Sequence, residues 1–159
     1  MMTSLRTIGT LACILAVAAT GCGGSTTVTG ATGNTSFSAT VTGAAAGSYS
    51  GYAGATVAGG IQAISMGTTD TKFALAFTRT GSKFVTGTFT LGDNLLTQYV
   101  GALNINNGTL YGSTGGTLTI TSVTSTEIRG SFDFQGKLNN GSTTNALKGD
   151  FVATCSVGC

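Results

Sequence analysis

From residue 35 onward, apolar and polar positions alternate with a period of two. Phe37, Ala39 and Val41 are interleaved with Ser36, Ser38 and Thr40. The same pattern returns near 60–66 (Ile61, Ala63 or Ile64), 73–79 (Phe73, Leu75, Phe77), 84–91 (Phe89, Leu91), 97–106, 116–123 (Leu118, Ile120), 127–138 and 144–154. Successive side chains of a strand point to opposite faces, so each run predicts a strand with one face on a core and the other in water. No segment sustains a period of 3.6. Residues 44–60 are rich in Gly and Ala and predict only a strand around 49–52 followed by a loop. About eight or nine short antiparallel strands define an all-β domain over residues 35–159, either a β-sandwich or a small flattened barrel.

One hairpin is predicted to the residue. Asn140-Gly141 suits a two-residue turn, whose central positions both need positive φ. Asn139 then faces Ser142, Phe134 faces Leu147, Phe132 faces Gly149, Gly130 faces Phe151 and Ile128 faces Ala153. That face is apolar. The other places Asp133 opposite Lys148 and Arg129 diagonal to Asp150, while a slip of one residue would set Phe132 against a charge. Upstream, Leu118 faces Phe132 and Ile120 faces Gly130 if residues 123–127 form a five-residue loop. Asn107-Gly108 predicts a second hairpin, from 99–106 into 109–112.

The first residues follow a different grammar. A short start carrying Arg6 leads into an apolar run, Ile8 to Ala19, and then into Thr20-Gly21-Cys22. A basic region, an apolar region and small residues at a cut site describe a secretory signal. The run is shorter than the roughly 20 apolar residues that cross a bilayer, and Thr10 interrupts it. A cysteine after the cut resembles the lipobox of bacterial lipoproteins, although Ala19 stands where Leu is usual. The resemblance implies cleavage after Gly21, a diacylglyceryl group on the Cys22 sulfur and acylation of its new amino terminus. Several acyl chains hold a protein at a membrane, at about 0.8 kcal/mol per buried methylene. The alternative is ordinary secretion with Cys22 left as a thiol. Residues 1–21 therefore read as a signal peptide and 22–34 as a lipidated cysteine with a flexible linker. A Gly/Ser/Thr tether of that length reaches about 20 Å. Gly23, where Asp commonly retains such lipoproteins in the inner membrane, is consistent with the outer membrane.

Composition narrows the function. Loss of residues 1–21 removes Arg6 and no acid, taking the formal charge from +2 to +1. Lys72, Arg79, Lys83, Arg129, Lys137 and Lys148 are scattered, whereas nucleic-acid binding needs clustered cations. The chain has no histidine, which removes Ser-His-Asp and Cys-His nucleophiles and every His-ligated metal site. No cofactor motif occurs. Five acids remain, Asp70, Asp93, Glu127, Asp133 and Asp150. Asp93 with Asn94 and loop carbonyls could form an oxygen-ligand calcium site, but a turn stabilised by an Asp side chain is the simpler reading. Cys155 and Cys159 form an even pair in an oxidising compartment, and bridging them requires the chain to turn back through 156–158. A Cu(I) or thiol-exchange site is the other reading of that pair.

Tyr49, Tyr52, Tyr99 and Tyr111 are the candidate ligand contacts, since aromatic faces stack on sugars. Tyr49 and Tyr52, three apart, point to opposite faces of a strand.

Taken together, Phe37-Ser-Ala-Thr-Val-Thr-Gly43, Thr86-Gly-Thr-Phe-Thr-Leu91, Gly116-Thr-Leu-Thr-Ile-Thr-Ser122 and Ile128-Arg-Gly-Ser-Phe-Asp-Phe134 resemble small β-rich bacterial lipoproteins carrying a domain of unknown function. The resemblance spans about residues 35–154 and implies a fold and an envelope location, with no catalytic residues. The expectation is a non-enzymatic outer-membrane lipoprotein that binds an envelope protein or glycan. A small carbohydrate-active hydrolase and an apolar-ligand-binding barrel are the alternatives. Intact-mass measurement of the processed chain is expected to show Cys22 as its first residue carrying acyl chains, and a bare thiol there would remove the lipid anchor.

Overall fold

The computed structural model describes residues 35–159 apart from Asn107 and Asn140; the expected signal segment 1–21, the expected lipidation site Cys22 and the expected linker to residue 34 lie outside the described residues. The strands are β1 (Ser36–Gly43), β2 (Gly47–Ala58), β3 (Ile61–Gly67), β4 (Phe73–Thr80), β5 (Gly87–Gly92), β6 (Tyr99–Ile105), β7 (Thr109–Val123), β8 (Glu127–Leu138) and β9 (Thr144–Val157). They form one sheet that closes into a ring in the order β1-β2-β3-β4-β6-β5-β7-β8-β9. The all-β expectation holds, and the ring fits a flattened barrel or sandwich.

Alternation explains most of these strands, and β2 shows where it is weak. Its inward side chains are Tyr49, Gly51, Ala53, Ala55 and Val57, mostly too small to contrast with the Ser, Gly and Thr between them. The strand runs through 47–58, longer than the segment expected around 49–52.

The β8–β9 register is the expected one, with Phe134 opposite Leu147, Phe132 opposite Gly149, Gly130 opposite Phe151 and Asp133 opposite Lys148. The turn differs. In a two-residue turn Asn139 and Ser142 would bond each other, but the Asn139 N–H donates to Leu110 O of β7. Leu138 instead closes the loop, donating its N–H to Thr143 O and accepting from the Gly141 N–H. Competition from a third strand therefore widens the loop without shifting the register. Leu118 and Ile120 also face Phe132 and Gly130, as expected. They do so through an irregularity between Ile120 and Ser122 and a connection of 124–126, in place of the five-residue loop. The β6–β7 hairpin pairs Ile105 with Thr109, so its connection is 106–108 and starts at Asn106, whose φ is 54°.

Two parallel pairings add to the antiparallel scheme. β1 begins at Ser36, beyond which β2 and β9 lose their shared neighbour. Both run antiparallel to β1, so where they meet they are parallel, joining Gly54 to Thr154 and Ala55 to Cys155. The long β7 likewise pairs β6 along its first part and β5 along its second. Those two strands consequently meet in parallel at Leu91 and Tyr99. Ser113 secures this junction: its Oγ accepts the Gly101 N–H at 2.9 Å and donates to Gly92 O at 2.6 Å.

The interior is filled by rings. Phe73 stacks on Phe37 (5.2 Å between centroids) and on Tyr49 (4.7 Å), and Phe77 meets Phe132 at 5.6 Å and Phe134 at 6.3 Å. Glycines make room for them. A Cβ on Gly149 would stand 2.7 Å from Phe132 Cζ and overlap Ser38 O, and one on Gly101 would lie 2.7 Å from Phe134 Cε2. Gly149→Ala is expected to destabilise the fold by about 1–3 kcal/mol through overpacking. Gly54→Ala, with no atom within 4 Å of the added Cβ, is expected to change stability by less than about 0.5 kcal/mol; urea unfolding of both variants checks the contrast.

Candidate functional site: a hydroxyl-lined outer face

The pleat that buries Phe37, Ala39 and Val41 turns their neighbours outward, and strand register then aligns those neighbours into rows. One row runs Ser50, Ser38, Asp150, Ser131, Thr119 and Thr88 across β2, β1, β9, β8, β7 and β5. The next runs Ser48, Thr40, Lys148, Asp133, Thr117 and Thr90. Hydroxyls dominate both rows. The Thr88 and Thr119 hydroxyls share a hydrogen bond of 3.1 Å, and Lys148 Nζ lies 3.0 Å from Asp133 Oδ2.

Three shallow grooves mark this side of the ring. The first, about 490 Å³, crosses the rows at Ser38, Thr40, Ser48, Ser50, Lys148 and Asp150. A second of about 370 Å³ is lined by Thr42, Thr114, Gln135, Thr144 and Asn145. A third, about 470 Å³, lies over Ser113, Thr114, Lys137, Asn139 and Ser142 and shares Thr114 with the second. All three offer hydroxyl and amide donors and acceptors with few charges. Such a lining suits a neutral polyhydroxylated ligand.

The four candidate tyrosines do not converge. Tyr99 and Tyr111 are buried in the core, and Tyr49 is half-buried against Phe73. Tyr52 is 55% exposed, with its hydroxyl end over Gly67, where a Cβ would come within 2.8 Å of it. Tyr52 thus presents a ring at the surface, beside the hydroxyl rows on β2.

The acids are dispersed. Asp70 Oδ1 accepts from the Thr68 hydroxyl at 2.6 Å and from the Lys72 N–H at 3.2 Å, and these bonds lower its pKa. Arg129 lies diagonal to Asp150, as expected, and its ion pair is with Glu127. Asp133 and Asp150 flank Lys148 on the outer face. In the 92–98 turn the capping group is Asn94, whose Oδ1 accepts the Leu96 N–H at 3.0 Å, in place of the Asp93 side chain. No group of three or more His, Cys, Asp or Glu side chains that could hold a metal occurs among the described residues. Cys155 and Cys159 are joined as a disulfide with Cα atoms 5.9 Å apart, and the chain turns back at Gly158 with φ of 74°. No described helix is long and apolar enough to cross a membrane.

A second polar group escapes the sequence reading. Gln62 occupies an inward position of β3, where it accepts the Tyr99 hydroxyl at 2.5 Å and donates to Lys83 O at 2.6 Å. Its register partner is Arg79. The signal was present, because Arg79 continues the inward series Phe73, Leu75, Phe77.

No protein-family model, curated protein or solved structure matches the chain.

Burial holds Tyr99 neutral, pushing its pKa from 10.0 up to about 12 against the opposing pull of Arg79. A pKa raised on folding contributes stability that is complete below pH 10.0 and is lost as pH rises through about 12. Tyr99→Phe is expected to cost about 1–3 kcal/mol at neutral pH by leaving Gln62 Oε1 unpaired, and to remove this part of the alkaline loss; urea unfolding at neutral and alkaline pH measures both effects.

Proposed function

We propose that this chain is a lipid-anchored, non-enzymatic binding module of the bacterial outer membrane, and that its hydroxyl-lined face docks a neutral envelope glycan. The observation that carries this reading is the outer face itself. Two in-register rows, largely of Ser and Thr, span six strands and are crossed by a groove of about 490 Å³. Hydroxyls that are already aligned can exchange water for sugar hydroxyls with little ordering cost. The exposed Tyr52 adds a ring on which a sugar can stack. The lipobox-like segment ending in Cys22, and the strand patterns similar to β-rich bacterial lipoproteins, support the location. Ring packing through the interior weighs against an apolar ligand held inside.

A hydrolase is the second reading, favoured by one feature: Asp133 and Asp150 lie diagonally on neighbouring strands of this face. Diagonal neighbours across strands are about 7–8 Å apart, near the separation of paired glycosidase carboxylates. Asp133 is already engaged with Lys148. Binding of the full chain to a glycan array separates the two. The expected result is retention of uncharged glycans without cleavage, weakened about tenfold by Thr40→Val or Tyr52→Ala. Cleavage of a retained glycan that Asp133→Asn or Asp150→Asn abolishes would replace the binding reading with a hydrolase.

A further inference from the structure

Where the hydroxyl rows end at β5, the ring has a seam. β4 pairs with β6 only as far as Thr78 and Val100, whereas β5 meets β6 only at Leu91 and Gly92. Residues 87–90 of β5 pair with β7 and not with β6. Arg79 sits at this seam. Its guanidinium carbon lies 5.2 Å from the Phe89 ring centroid and 5.8 Å from that of Tyr99. Its Nε is buried and has no hydrogen-bond partner.

No carboxylate compensates this charge. All five acids of the chain fall within the described residues; Asp70, Glu127 and Asp133 pair with Lys72, Arg129 and Lys148, and none of the five pairs with Arg79. The neighbouring Gln62 turns Oε1 to the Tyr99 hydroxyl and Nε2 to Lys83 O, and makes no hydrogen bond to Arg79 Nε. That second bond holds the backbone of Lys83, whose residue is exposed, next to Gln62. Aromatic faces attract a cation by about 0.5–2 kcal/mol, but they accept no hydrogen bond of ordinary strength from a buried N–H. A guanidinium offers five donors in a planar fork matched to carboxylate and phosphate oxygens. A half-buried fork with an orphaned donor is therefore incomplete without an acceptor.

We propose that the Arg79 corner is an oxyanion site that takes the carboxylate or phosphate group of a soluble ligand, with Arg79 as the hydrogen-bonding fork and Lys83 as a second positive charge. The site is separate from the glycan reading of the hydroxyl face and stands or falls independently of it. Inorganic phosphate and acetate, titrated separately into the full chain, test it by the Nε–H resonance of Arg79, identified by its loss in Arg79→Lys. The expected result is a saturable shift of that resonance with one or both anions, beyond any shift given by chloride at equal ionic strength. The Nε–H resonance of Arg129, already paired with Glu127, is expected not to follow. Thermal unfolding gives a second readout: the same anion raises the midpoint of the wild-type chain, and Arg79→Lys needs about tenfold more anion for the same rise. Absence of a saturable Arg79 shift with both anions, or an equal midpoint rise in Arg79→Lys and wild type, would overturn the proposal.

Discussion

Closure of the backbone hydrogen-bond network is the constraint on which the rest of this structure depends. An unpaired strand edge costs stability when buried and invites aggregation when exposed. Here unequal strand lengths are reconciled by pairing the overhangs. β2 and β9 outrun β1 and join each other, while β5 and β6 share β7 and meet end to end. Both of these joins are parallel because each pair is antiparallel to a common neighbour. At the β5–β6 junction, where the ladder changes partner, the Ser113 hydroxyl serves a backbone donor and a backbone acceptor. The seam beside Arg79 is where this pairing thins.

Closure also sets the volume available inside. Phenylalanines supply much of the buried apolar area in a domain of modest size, and a curled sheet has no space for rings on every strand. Glycine resolves the conflict by setting a bare backbone opposite a ring, as Gly149 does for Phe132 and Gly130 for Phe151. The same pleat that aims the rings inward lays the hydroxyls outward in register. The filled core and the polar face are thus two consequences of one alternation.

The two polar surfaces differ in kind. The hydroxyl face is broad, nearly neutral and spread over several strands, so its contribution to binding comes from many weak, aligned hydrogen bonds. The Arg79 corner is local and charged, and its donors lie against low-dielectric aromatic walls where an added acceptor interacts strongly. A ligand for one would gain little from the other.

Much of the architecture was legible in the chain because its information is local. A two-residue period identifies strands, and the β8–β9 register followed from centring the hairpin on Asn140-Gly141, with a slip disfavoured because it would drive Phe132 against a charge. Where local contrast is weak, as in the Gly/Ala positions of β2, the strand was only partly visible. The Asn140-Gly141 segment located the hairpin, but Leu110 of a third strand decided which bonds close its loop. Tyr99 and Tyr111 shared the polar-tipped aromatic character of Tyr52, yet burial depends on which strands neighbour them around the ring, a non-local property. Arg79 illustrates the same division: alternation put it on the inward series, whereas its packing against the Phe89 and Tyr99 rings without an ion pair was settled by the tertiary fold. By itself, then, the sequence determined strand identity, local register and the polar or apolar character of each face, because those follow from side-chain periodicity. Ring order, the parallel joins, the alignment of hydroxyls across six strands and the packing of one guanidinium against two rings were decided by tertiary structure, because each requires segments distant in the chain to meet.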